Sequence, residues 1–148
     1  MRKLIVIFLL LSSFCFSQTK PINSENTWLI DYYFKDDKII KDGLSNIINL
    51  TLTGKYNDAK IEIYRLKSEV QKSSLAYSAL LCYEANICYN ESKYDQSFTL
   101  ADSAISITSN LDKDNRYIVK ALNIKAKALS ALNEFESSEK ILNETVQL

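Results

Sequence analysis

Apolar residues recur along this chain in steps of three and four, from three starting points that align with one another. "GKYNDAKIEIY" at Gly54, "SKYDQSFTLADSA" at Ser92 and "NEFESSEKIL" at Asn133 each set an aromatic after a short polar turn. Those aromatics are Tyr56, Tyr94 and Phe135, spaced by 38 and 41 residues. A small residue follows three positions later (Ala59, Ser97, Ser138). Four further on come Ile63, Ala101 and Leu142, and three beyond those Leu66, Ala104 and Thr145. Such steps fall on one face of an α-helix, and the small residue lets a neighbouring helix approach closely.

The segments ahead of the turns carry a second stripe. Leu81, Ala85 and Cys88 match Leu122, Ala126 and Leu129, whereas the first-unit counterparts Gly43, Ile47 and Leu50 match poorly. The two stripes predict a unit of helix A, turn and helix B, stated three times. Expected helices cover 42–53 and 56–72, then 75–91 and 94–109, then 115–132 and 135–147. Ser73 or Ser74, and Asp112 or Asp114, are the expected caps. Two glycines and one proline in 148 residues agree with an all-α chain, since sheets need many more tight turns.

The pattern resembles tetratricopeptide repeats, which carry small residues where helices cross and an aromatic at the turn; the likeness runs from Gly43 to Leu148. It implies three antiparallel helix-turn-helix repeats over 42–148, stacked in a right-handed superhelix, acting as a non-catalytic protein–protein interaction scaffold. The chain departs from the family in its period, which is longer than the usual ~34 residues. It also lacks the proline near each unit's end and puts Glu84 and Lys125 where helix A would carry an apolar residue. Stacking buries the stripes above and leaves a second stripe of helix A on the concave side. In the second unit that stripe is Cys82, Asn86, Tyr89 and Asn90, and in the third Lys120, Asn123, Lys127 and Ser130. It mixes amides, lysines and a tyrosine suited to a protein or peptide partner, and a plain solvated face is the alternative. Of the residues with which some members of the family clamp a peptide's terminal carboxylate, Asn86 and Lys127 match. Leu44 and Ile48 stand where a basic residue and an amide would be needed.

Residues 19–41 form an aromatic lead-in with Trp28, Tyr32, Tyr33 and Phe34, read either as a cap over the first unit or as a segment that docks on a partner. Residues 1–18, "MRKLIVIFLLLSSFCFSQ", have the basic start, short apolar centre and small polar end of a secretory signal cleaved near Ser17/Gln18. Lipidation at Cys15 is the alternative, and Phe14 beside it argues against that. The ending resembles signals of the Bacteroidetes, so a periplasmic or secreted protein is expected. The apolar run is shorter than the ~20 residues of a membrane span.

Charge and composition then narrow the chemistry. Lysine plus arginine and aspartate plus glutamate are equal at 18 each, which argues against nucleic acid, whose binding needs a basic surface. With no histidine in the chain, the usual serine and cysteine catalytic arrangements have no base. The two isolated glycines make no phosphate loop. "DKDN" at Asp112 has alternate acids but not the rest of a calcium loop. Glu84 and Glu91 leave a small carboxylate-dependent hydrolase as a remote alternative, while Glu134, Glu136 and Glu139 suit a helix N-terminus. No cofactor or metal is expected. Cys82 and Cys88, about 9 Å apart along one helix, are out of disulfide reach. They read as buried thiols, with an intermolecular bridge through Cys82 as the alternative. Tyr64, Tyr77, Tyr83 and Tyr117 fall at packing positions. The apolar Ile141, Val146 and Leu148 in "EKILNETVQL" lead to an expectation that a second copy, another protein or further sequence covers the last helix. The chain would then be a stand-alone adaptor or the front of a longer signalling protein.

Overall fold

The computed structural model describes residues 24–111 and 116–148. The leader at 1–18, the start of the lead-in, and the "DKDN" segment with its two expected caps lie outside the described residues. Among the described residues seven helices follow one another: α1 (Ser24–Tyr33), α2 (Lys38–Leu52), α3 (Tyr56–Glu69), α4 (Leu75–Asn90), α5 (Tyr94–Thr108), α6 (Arg116–Ala131) and α7 (Phe135–Thr145). There is no strand among the described residues. The fold is an all-α helical repeat, and helices A and B of the units are α2/α3, α4/α5 and α6/α7.

The recurring turn has a physical cause. Gly54, Ser92 and Asn133 take left-handed backbone conformations, with φ of 72°, 61° and 65°. Each is followed by an amide that reaches back five residues to close the preceding helix. The bonds are Lys55 N–H to Leu50 C=O at 2.8 Å, Lys93 to Cys88 at 2.8 Å and Glu134 to Leu129 at 2.9 Å. A second bond joins Gly54 to Thr51, Ser92 to Tyr89 and Asn133 to Ser130. This paired closure satisfies carbonyls that a helix end would otherwise orphan. The next helix begins one residue later at the aromatic, so three turns of the same geometry fold each pair back on itself.

Packing then follows the two stripes in the first two units; in α7 only Ser138 of its stripe is buried, and Leu142, expected to pack, is 45% exposed because α7 has a neighbour on one side only. Each helix B touches its own helix A and the next one, and the A helices touch in series, α2 on α4 and α4 on α6. Ala59, Ile63 and Leu66 of α3 and Ala101 and Ala104 of α5 are fully buried. The small residue after each turn has a second use. Ser97 Oγ donates to the carbonyl of Ala85 at 2.8 Å, and Ser138 Oγ donates to that of Ala126 at 2.8 Å. In the first unit Ala59 takes this place, and the close approach moves to Gly43, where a Cβ would come within 2.5 Å of Leu66 Cδ1. A poor sequence match is therefore a different solution to the same crossing. Each fully buried Leu or Ile contributes about 1.5–3 kcal/mol, more than a surface ion pair, so these stripes hold the array.

Several expectations need adjustment. Helix A of the first unit begins at Lys38 rather than 42, because Asp37 caps it by accepting from Ile40 N–H at 3.1 Å. The cap of α4 is Ser74, which accepts from Tyr77 N–H at 3.1 Å. Tyr64, expected to pack, is 60% exposed on the outer side of α3, whereas Tyr83 and Tyr117 are buried as expected. Glu84 and Lys125, the two charged departures, pair with helix B of the preceding unit, Glu84 with Lys67 and Lys125 with Asp102. The lead-in buries Ile30 of α1 and Phe34 just after it in the main core, and α1 packs on α2. No described helix is long and apolar enough to cross a membrane.

Candidate functional site

Helix α6 fixes one wall of the site. Arg116, Lys120, Asn123 and Lys127 step by four, three and four, so they share one face of a helix whose other side buries Ala121, Ala128 and Leu129. Tyr83 and Asn86 of α4 supply a second wall, and Ile48, Thr51 and Leu52 of α2 a third. Trp28 and Leu29 of α1 close the fourth side, with Leu148 at the rim beyond α7. Together they bound a groove of about 590 Å³. Every helical lining residue belongs to α1 or to an A helix, which puts the groove on the side of the array away from the B helices.

The lead-in is tied across the array rather than merely stacked on its end. The Arg116 guanidinium lies 4.7 Å from the Trp28 ring centre and 5.1 Å from that of Tyr32. Tyr33 and Phe34 meet Tyr117 with ring centres 5.2 and 6.1 Å apart. These contacts carry α1 from the first unit to the third, and they seat Trp28 in the groove wall.

The groove is layered by burial. Leu29, Ile48, Tyr83 and Ile124 are buried, while Trp28, Leu52, Asn123 and Lys127 are exposed at its mouth. Its lining holds three cations, Arg116, Lys120 and Lys127, and no acidic side chain. The Lys120 ammonium sits 3.7 Å over the Tyr83 ring. Lys120 Nζ and Tyr83 Oη are both buried and lack a hydrogen-bond partner among the described residues. The arrangement can offer donors and positive charge inside an apolar wall.

Of the eight residues expected on the concave face, four line this groove: Asn86, Lys120, Asn123 and Lys127. The other four do not. Cys82 has no exposed surface; it packs with Leu81, Ala85, Ala101, Ala121 and Ile124. The physical reason is a shift of one residue, since the open face of α4 runs through Tyr83 and Asn86, and Cys82 lies about 100° round the helix from Tyr83. Tyr89 meets Tyr94 with tilted rings 5.6 Å apart, and Asn90 and Ser130 lie exposed near the ends of their helices. Burial pushes the Cys82 thiol up to about 12 against the opposing charge of Lys120, and Cys88 is also raised, chiefly by burial. Both cysteines are free and buried, so the intermolecular bridge through Cys82 has no exposed sulfur to start from. Arg116 and Tyr83 were missed, although extending Lys120–Asn123–Lys127 back by four and Asn86 back by three finds them. The part played by Trp28 has no local signal.

Glu84 and Glu91 lie outside the groove and are held by lysines, Glu84 by Lys67 and Glu91 by Lys60 and Lys93. Among the described residues no group of histidine, cysteine, aspartate and glutamate is placed to hold a metal ion. Compared with protein-family models, curated proteins and solved structures, the chain matches none.

Proposed function

We propose that this protein is a non-catalytic protein–protein interaction scaffold of tetratricopeptide-like architecture, working in the periplasm or beyond it. The groove supports this reading: two successive A helices, α4 and α6, bring Asn86, Asn123 and Lys127 to one groove, where amides and an ammonium can hold the backbone and carboxylates of a polypeptide segment. The secretory character of residues 1–18 supports export. The scaffold does no chemistry of its own and presents a preformed surface.

A photoreactive residue introduced at Asn123 should cross-link a partner in the source cells. The double change Asn86→Ala and Lys127→Ala should abolish that adduct with helicity unchanged. An undiminished adduct would sink the groove-mouth reading.

A further inference from the structure

We infer that the inner part of the groove is a seat for a small amphiphilic acid. Lys120 and Tyr83 hold its carboxylate, and the apolar walls hold its aliphatic arm. This goes beyond the scaffold reading and stands without it, since Lys120 and Tyr83, which hold the acid, lie behind the mouth that a polypeptide would cross.

Six other lysines, Lys38, Lys41, Lys60, Lys67, Lys93 and Lys125, are each paired with an acid. Lys120 is different. Its ammonium is buried, has no hydrogen-bond partner among the described residues, and rests on the Tyr83 ring, with that of Tyr117 6.0 Å away. An ammonium only donates, and burying one is costly unless an acceptor of opposite charge meets it. The Tyr83 hydroxyl beside it is a second buried donor without a partner. What complements two donors and one buried charge is a carboxylate, with two oxygens and a single negative charge. The positive lining, with no acidic side chain in it, turns away amines.

The rest of the ligand follows from the walls. Leu29, Ile48, Leu52, Val119 and Trp28 give the seat an apolar approach, and about 590 Å³ lies within the ~300–1,000 Å³ typical of small-molecule sites. Nζ lies against the Tyr83 ring, and rotation of the flexible lysine stem brings it to the acid.

Trp28 is the only tryptophan in the chain and lines the groove, so its fluorescence reads occupancy directly. Decanoic acid, decanol and decylamine are titrated into the purified protein. Decanoate should shift Trp28 emission saturably, with decanol weaker by about tenfold or more, the size of a hydrogen bond to a charged group. Lys120→Met should remove the preference for decanoate over decanol, and Lys120→Arg should keep it. Tyr83→Phe should weaken decanoate several-fold. Equal binding of acid and alcohol by the parent protein, or no saturable change with either, would overturn the seat. So would a preference for decanoate that survives Lys120→Met. Acetate competing as well as decanoate would overturn the apolar arm. If Lys120→Met does not fold, the parent's comparison of acid with alcohol still decides. These titrations are independent of the Asn123 cross-link, so either reading can fail alone.

Discussion

Side chains one position apart decide most of what this molecule can do. Cys82 and Tyr83 are neighbours, yet one is sealed among alanines and the other faces the groove. A stripe drawn from sequence in steps of three and four fits either register when both residues are apolar, which is why the concave face was legible on α6, with its polar Asn123 and Lys127, and not on α4. The turns were legible for the opposite reason, because Gly54, Ser92 and Asn133 are residue types suited to left-handed backbone or polar turns. Their conformations differ in cost. With nothing within 4 Å of a Cβ built on Gly54, Gly54→Ala should lose about 1–2 kcal/mol from backbone strain alone. Ser92→Gly should gain about 0.5–1 kcal/mol for the same reason. Urea unfolding of the two variants checks the opposite signs, and a shift in the same direction for both would count against the turn argument.

Between elements, the charged departures from the apolar stripe act as cross-links of unequal strength. Lys67 and Glu84 join α3 to α4 with side chains only 15% and 8% exposed, whereas Lys125 and Asp102 join α5 to α6 with Asp102 56% exposed. Removing one partner of a buried pair strands the other charge at a cost of about 3 kcal/mol. An exposed pair is worth about 1 kcal/mol or less. Glu84→Leu should therefore destabilise markedly and Asp102→Ala slightly, and adding Lys67→Met to Glu84→Leu should recover most of the loss. A denaturation series in which the double variant is no better than Glu84→Leu would show that the pair does not act as a unit. Helix starts were readable wherever a turn motif preceded them, whereas α3 stops at Glu69, short of the expected 72. The start of α2 was not, because Asp37 hides its cap inside a run of charges that reads as part of the lead-in.

For the whole molecule, the repeat architecture was open to reading but the groove was not, since its fourth wall depends on α1 folding back over the array, a contact far apart in sequence. Acidity should test the array as a unit. Hydrogen bonds from Lys60 and then Lys93 hold the Glu91 carboxyl below its ordinary 4.5, and Arg65 does the same for Glu62. A carboxyl depressed on folding contributes its stabilisation above the unfolded value, and the contribution drains away as pH falls through the folded one. The urea midpoint should thus drop as pH passes below about 4.5, and Glu91→Gln should flatten part of that slope; an identical slope would remove Glu91 from the account. The α1 clasp has a further consequence. An open stack of repeats melts from its ends inward, each unit answering only to its neighbours. Here the aromatic contact between Phe34 and Tyr117 makes the lead-in a neighbour of the third unit's helix A as well as of the first unit. The first unit is then not free to fray by itself, and the wall of the groove is also the fastening that couples its unfolding to that of α6.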